Sequence, residues 1–185
     1  RLKSEQDWVR PLNPYGASKL YTEALSLSYA SSFGMNVTAL RFFNVYGPNQ
    51  SPSHEYAAVI PRFIDALLHD RPMKIHGDGS QTRSFTFVEN VCQAIEQSVF
   101  RDSPLNEAVN ISFGTSISIL EVGQKIARAI GAAPSMIFEE QRAGDILHSS
   151  ADGSRMSSLF PLMEEISIDT GLRTTIDWMQ SVRPA

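Results

Sequence analysis

Residues 37 to 43 read Val-Thr-Ala-Leu-Arg-Phe-Phe. Both alternations of this run are apolar apart from Thr38 and Arg41, so neither face reads as a water face. A strand buried on both sides is the habit of parallel sheets in α/β folds. Upstream, Ala17, Leu20, Tyr21, Ala24, Leu27 and Ser28 fall at helical spacing over residues 14–33. Pro14 suits the first turn of that helix and Gly34 its C-cap. Downstream, Gly47, Pro48, Asn49, Ser51, Pro52 and Ser53 mark a loop over 47–56. Val59, Ile60, Phe63, Ile64 and Leu67 then give an apolar face to a helix over 57–69. A strand at 73–76, a tight turn Gly77-Asp78-Gly79, a strand at 85–88, a helix at 89–99 and a strand at 109–111 follow. Ser118 and Glu121 form a capping box that opens a helix with Ile119, Val122, Ile126 and Ile130 inward. A strand at 136–139, a polar loop to 153, a helical turn at 154–159 and a helix at 167–182 complete the pattern. Helix and strand alternate throughout, which means α/β.

The 185 residues carry 16 Lys and Arg against 20 Asp and Glu, a net charge of −4. With no basic run, neither nucleic acid nor an anionic membrane is an expected partner. No apolar stretch approaches the roughly 18 residues of a membrane span, and residues 1–7 hold no signal-peptide apolar core. The single cysteine, Cys92, excludes internal disulfides and a multi-cysteine zinc site. It reads as a buried helix residue, and a reducing, cytoplasmic compartment is expected. His54, His69 and His148 show no metal-ligand spacing, so no metal is expected.

Tyr15 and Lys19 stand four apart at the start of the first helix, in Tyr-Gly-Ala-Ser-Lys. Just over one turn separates them, so both project from one face. A phenol is a poor base at neutral pH, but a nearby ammonium and the helix N-terminus both favour its phenolate. Such a pair suits proton removal from an alcohol during hydride transfer. A half-buried Tyr and a solvated Lys would give the same four-residue spacing.

The surroundings decide between them. Pro11-Leu-Asn-Pro-Tyr-Gly-Ala-Ser-Lys19 and Arg41-Phe-Phe-Asn-Val-Tyr-Gly-Pro48 closely resemble the extended short-chain dehydrogenase/reductases. The match continues through Tyr56-Ala-Ala-Val-Ile-Pro-Arg-Phe63, Ile75-His-Gly-Asp-Gly-Ser-Gln-Thr-Arg-Ser-Phe85 and Arg142-Ala-Gly-Asp145. Within that NAD-dependent epimerase/dehydratase superfamily the chain is most similar to UDP-glucose and UDP-N-acetylglucosamine 4-epimerases. The resemblance implies the C-terminal part of a Rossmann-type parallel sheet plus a small α/β substrate-binding domain. It implies NAD as cofactor, a UDP-sugar as substrate, and epimerisation at C4 through a transient 4-keto sugar. Tyr15 would be base and acid, Lys19 would tune it and hold the nicotinamide ribose, and Phe43 would sit beside the nicotinamide or serve as strand core. Asn44, at the end of a parallel strand, would donate to the diphosphate. Arg83 and Arg142 would clamp the phosphates, a task suited to the guanidinium fork. Asp145 would accept from the ribose or orient Arg142. Lys74, Ile75 and His76 would line the uracil slot, closed by the Val59 and Ile60 backbone. Full-length relatives imply a homodimer packed through the Tyr-bearing helix.

Two positions depart from the pattern. Asn49 stands where Arg is common, and Ser84 where Asp usually follows Arg83, which predicts weaker substrate binding. No glycine-rich dinucleotide turn can be assembled from the eleven glycines, so the chain is expected to be a fragment and inactive alone. The expected division is residues 1–45 and 85–113 in the dinucleotide domain, 46–84 and 114–185 in substrate-binding segments. A dehydratase, decarboxylase or reductase of the same scaffold, or an inactive cofactor-binding homologue, are the alternatives.

Overall fold

The computed structural model describes residues 2–53, 57–141 and 146–182. Helix α1 runs Pro14–Phe33. Asn13 caps it by accepting a hydrogen bond from Gly16 N at 2.8 Å, and Gly34 closes it in the left-handed region at φ 66°. A narrow stripe including Leu20, Leu27 and Ala30 turns inward, while Tyr21, Leu25, Tyr29 and Phe33 remain exposed. From that stripe Glu23 grips Arg41 with both oxygens, at 2.6 and 2.7 Å. The carboxylate holds the Arg41 guanidinium pKa above its already high ordinary value, which fixes α1 across strand β1 (Thr38–Phe42).

β1 pairs in parallel with β6 (Glu107–Ile111), Leu40 opposite Val109. Only one of its edges is paired among the described residues. β1 is half-buried and Phe42 is 48% exposed, so the run is not buried on both faces here and leaves apolar surface open. On the far side of β6, Asn110 donates its backbone N–H to Glu5 Oε1 at 2.8 Å and its amide to the Lys3 carbonyl at 3.0 Å. Lys3 in turn pairs with Ala151, donating to Ser150 O and accepting from Asp152 N.

Strand β2 (Val45–Tyr46) pairs in parallel with β5 (Thr86–Phe87). Helix α2 (Val59–Leu68) buries Ile60, Phe63, Ile64 and Leu67. Strand β3 (Met73–His76) alternates, with Met73 and Ile75 buried and Lys74 exposed. It ends in the Gly77-Asp78-Gly79 turn, where φ of 75° and 80° at the two glycines suits residues without a Cβ. Strand β4 (Thr82–Arg83) is the middle of three, between β7 (Ile117–Ser118) and β9 (His148–Ser149).

Helix α3 (Val88–Val99) buries Asn90, Val91 and Ala94. Cys92 turns out of that face and is exposed, which corrects the expectation of a buried thiol. Helix α4 (Ile119–Ile130) opens at Ser118, whose Oγ accepts from Glu121 N at 3.1 Å, the cap the sequence predicts. Strand β8 (Met136–Glu139) lies parallel to β3, and α5 (Ser154–Leu159) and α6 (Ile168–Ser181) end the chain. One core joins α2, β3, α4 and α6 around Ile60, Ile64, Ile126 and Ile176; a second joins α3, β6 and α5 around Val109, Ile111 and Phe160. No helix among the described residues is long and apolar enough to cross a membrane.

Candidate active site

The chain leaves β1 and re-enters β2 through Asn44, which sits at φ 36°, a region Asn tolerates better than most residues. Its amide donates to Ser84 O at 2.9 Å, and its carbonyl accepts from Thr86 N. The β1–β2 corner is thereby locked against the strand that carries Arg83. Arg83 Nη1 donates to Thr82 O at 2.8 Å and to Leu147 O at 3.3 Å. The Ser84 side chain is 1% exposed, and its hydroxyl has no hydrogen-bond partner among the described residues. An unsatisfied buried hydroxyl costs about 1–3 kcal/mol. Ser84→Ala is therefore expected to stabilise the fold by about 1 kcal/mol, raising Tm by roughly 2–4 °C in a thermal melt.

These elements enclose a cavity of about 250 Å³. Asn44 and Arg83 line it from the β1–β2 corner and β4. Val59 and Ile60 line it from the first turn of α2, and Lys74, Ile75 and His76 from β3. The walls are apolar below, with Ile60 and Ile75 fully buried, and polar at the rim. Gln81 donates to His76 O at 2.8 Å and so fixes the end of β3. Lys74 Nζ meets Glu139 Oε1 at 2.9 Å. That hydrogen bond is the main reason the Glu139 carboxyl is held below the usual carboxylate range, with His76 and Arg62 adding positive potential. Tyr46 also lines the cavity, but its phenol is pushed well above its ordinary pKa, first by burial and then by Asp169. It is a neutral wall and not a base.

Tyr15, Lys19 and Phe43 do not line this cavity. Tyr15 is 71% exposed at the first turn of α1, and Lys19 Nζ stands 5.3 Å from the centre of its ring. The pair shares one helix face, as the spacing requires. Lys19 forms no ion pair among the described residues, so a phenol and an ammonium stand side by side open to a ligand. Arg142 and Asp145 lie outside the described residues.

Arg62, Gln81 and Phe85 also line the cavity, without having been expected from the sequence. Arg62 had a signal: it lies inside the stretch 56–63, three residues from Val59 and so on the same helix face. Gln81 and Phe85 lie two residues to either side of Arg83, outside the two-residue β4, where no period can show.

A family model described as the NAD dependent epimerase/dehydratase family matches residues 2–112. The chain belongs to this family. The epimerase/dehydratase chain is 33% identical over 179 residues to the uncharacterized UDP-glucose epimerase YtcB of Bacillus subtilis, covering 97% of this chain and 55% of that protein. The solved UDP-N-acetylglucosamine 4-epimerase of Methanobrevibacter ruminantium, in complex with UDP-N-acetylmuramic acid, superposes with a TM-score of 0.90 at 34% identity, over 96% of this chain and 56% of that one. The UDP-glucuronic acid 4-epimerase of Bacillus cereus, in complex with UDP-glucuronic acid and NAD, gives 0.89 at 29% identity, over 99% and 57%. The mixed α/β architecture is thus that of the C-terminal part of Rossmann-type epimerases, and the family is NAD-dependent. The epimerase/dehydratase chain spans about half the length of the relatives it matches.

Proposed function

We propose that this chain is the catalytic-helix and substrate-binding portion of an NAD-dependent UDP-hexose 4-epimerase. One observation carries the reading: Asn44, Val59, Ile60, Lys74, Ile75, His76 and Arg83, drawn from distant parts of the chain, line a single cavity. An apolar slot with a cationic rim is the shape a pyrimidine nucleoside diphosphate requires. Val59, Ile60 and the β3 residues hold the base, while Asn44 and Arg83 meet the phosphates; Arg142 would join them there, and Asp145 would accept from the ribose or orient Arg142.

NAD, when bound, supplies the reversible oxidation of C4. Tyr15 takes the proton of the C4 hydroxyl and returns it after the 4-keto sugar has turned over. Lys19 orients the phenol and holds the nicotinamide ribose, and Phe43 packs beside the ring. Inversion requires the hexose to rotate, so the grip falls on the diphosphate and leaves the sugar loosely held. The full-length enzyme works in the cytoplasm as a homodimer.

The test is the full-length gene product incubated with UDP-galactose, UDP-N-acetylglucosamine and UDP-glucuronate. C4 inversion of at least one is expected, and inversion of none overturns the reading. The 185 residues alone are expected to give no turnover in the same assay, because the chain supplies no glycine-rich turn for the dinucleotide pyrophosphate.

A further inference from the structure

Glu139 ends β8 directly opposite His76 in the parallel β3–β8 register. Side chains repeat every second residue along a strand, so Lys74 and His76 share one face of β3 while Met73 and Ile75 fill the core on the other. The Glu139 carboxylate is bracketed by that face. Oε1 takes the Lys74 ammonium at 2.9 Å, and Oε2 lies 3.5 Å from His76 Nδ1. Arg62, from α2, is the other charged group bearing on it. The second ring nitrogen of His76, Nε2, is buried with no hydrogen-bond partner among the described residues.

These two facts select the same form of the ring. A proton on Nδ1 faces a carboxylate, whereas a proton on Nε2 would be stranded without an acceptor. The His76 backbone is fixed as well, through the Gln81 amide on its carbonyl. We propose that Glu139 is a positioning residue of the nucleotide cavity: it holds the His76 imidazole in the Nδ1–H tautomer and one orientation, and keeps the Lys74 ammonium against the sheet. Glu139 itself is not among the residues lining the cavity, so it acts through two that are. The inference rests on the nucleotide reading above, since it is a ligand that profits from a preorganised wall.

Two measurements on the full-length gene product test it. Long-range ¹⁵N–¹H correlation spectra, with His76 assigned by comparison with His76→Phe, should show the Nδ1–H tautomer in the ligand-free protein. Glu139→Ala should convert it to the Nε2–H form or a mixture, and Glu139→Gln, which keeps a carbonyl oxygen able to face Nδ1, should restore it. Calorimetric titration with UDP should show Glu139→Ala binding about tenfold more weakly and Glu139→Gln within about threefold of the parent. In the His76→Phe background the effect of Glu139→Ala should shrink to under about twofold. An unchanged His76 tautomer in Glu139→Ala, or an undiminished effect in the His76→Phe background, overturns the proposal while leaving the nucleotide reading intact. Absence of UDP binding by the parent protein overturns the nucleotide reading and takes the proposal with it.

Discussion

Tyr15→Phe in the full-length gene product is expected to slow C4 inversion by about 10²–10⁴-fold, the range that a positioned acid or base contributes. UDP affinity should stay within about twofold, because Tyr15 stands outside the cavity proposed for the nucleotide. The substitution removes only the oxygen. It keeps the ring over which Lys19 sits at 5.3 Å, and the exposed first turn of α1 has no packing to lose. A pre-steady-state assay for cofactor reduction by UDP-hexose should fall in step with turnover. A variant that retained turnover within a few-fold would remove Tyr15 from the chemistry altogether. A variant that lost UDP binding equally would relocate its role to the substrate clamp.

The largest expected change in stability belongs to Gly153. A Cβ built there would overlap the Ser112 carbonyl oxygen and carbon and press on the Phe113 backbone. Those are main-chain atoms, so no rotamer change relieves the overlap. Gly153 lies just ahead of α5, which packs Met156 and Phe160 under β6, and the strain would fall on that second core. Gly153→Ala is expected to cost about 3 kcal/mol or more, which lowers Tm by roughly 6–12 °C for a chain of this size. Gly34→Ala is the control. It meets nothing within 4 Å and suffers only from its φ of 66°, so its cost should be about 1 kcal/mol. Denaturant melts of the two variants should separate the effects, and equal losses would refute the backbone-clash argument.

What the sequence made legible follows from how local each signal is. Helix α1 was readable to the residue because Pro14 and Gly34 mark its ends within the chain itself, and β3 and β8 because each is long enough to stand clear of its turns. Of the five two-residue strands, β5 lies in an apolar run and is read, whereas β2, β4, β7 and β9 are not. Their pairing is set by partners far away, Thr82 with His148 and Arg83 with Ile117, and two residues carry no period. Cys92 was misread because the packing habit of free thiols says nothing about which side of a helix they occupy. Seven of the cavity residues follow from motifs, whereas Arg62, Gln81, Phe85 and the neighbouring Glu139 do not. Its neighbours Lys74 and His76 are set by strand register, a property of folded pairs and not of spacing along the chain. The departure at Ser84 also changed meaning: its carbonyl anchors Asn44 while its hydroxyl is sealed inside.

Lys3 and Glu5, ahead of α1, are tied into the fold. A protease that cut after Glu5 would release a fragment woven into two places at once. Asn110 would lose acceptors for both its main-chain and side-chain donors, and the run 150–152, one step beyond the strand that flanks Arg83, would lose its tie to Lys3. Trimming the amino end for convenience would therefore fray the Arg83 side of the molecule first, long before it reached Tyr15.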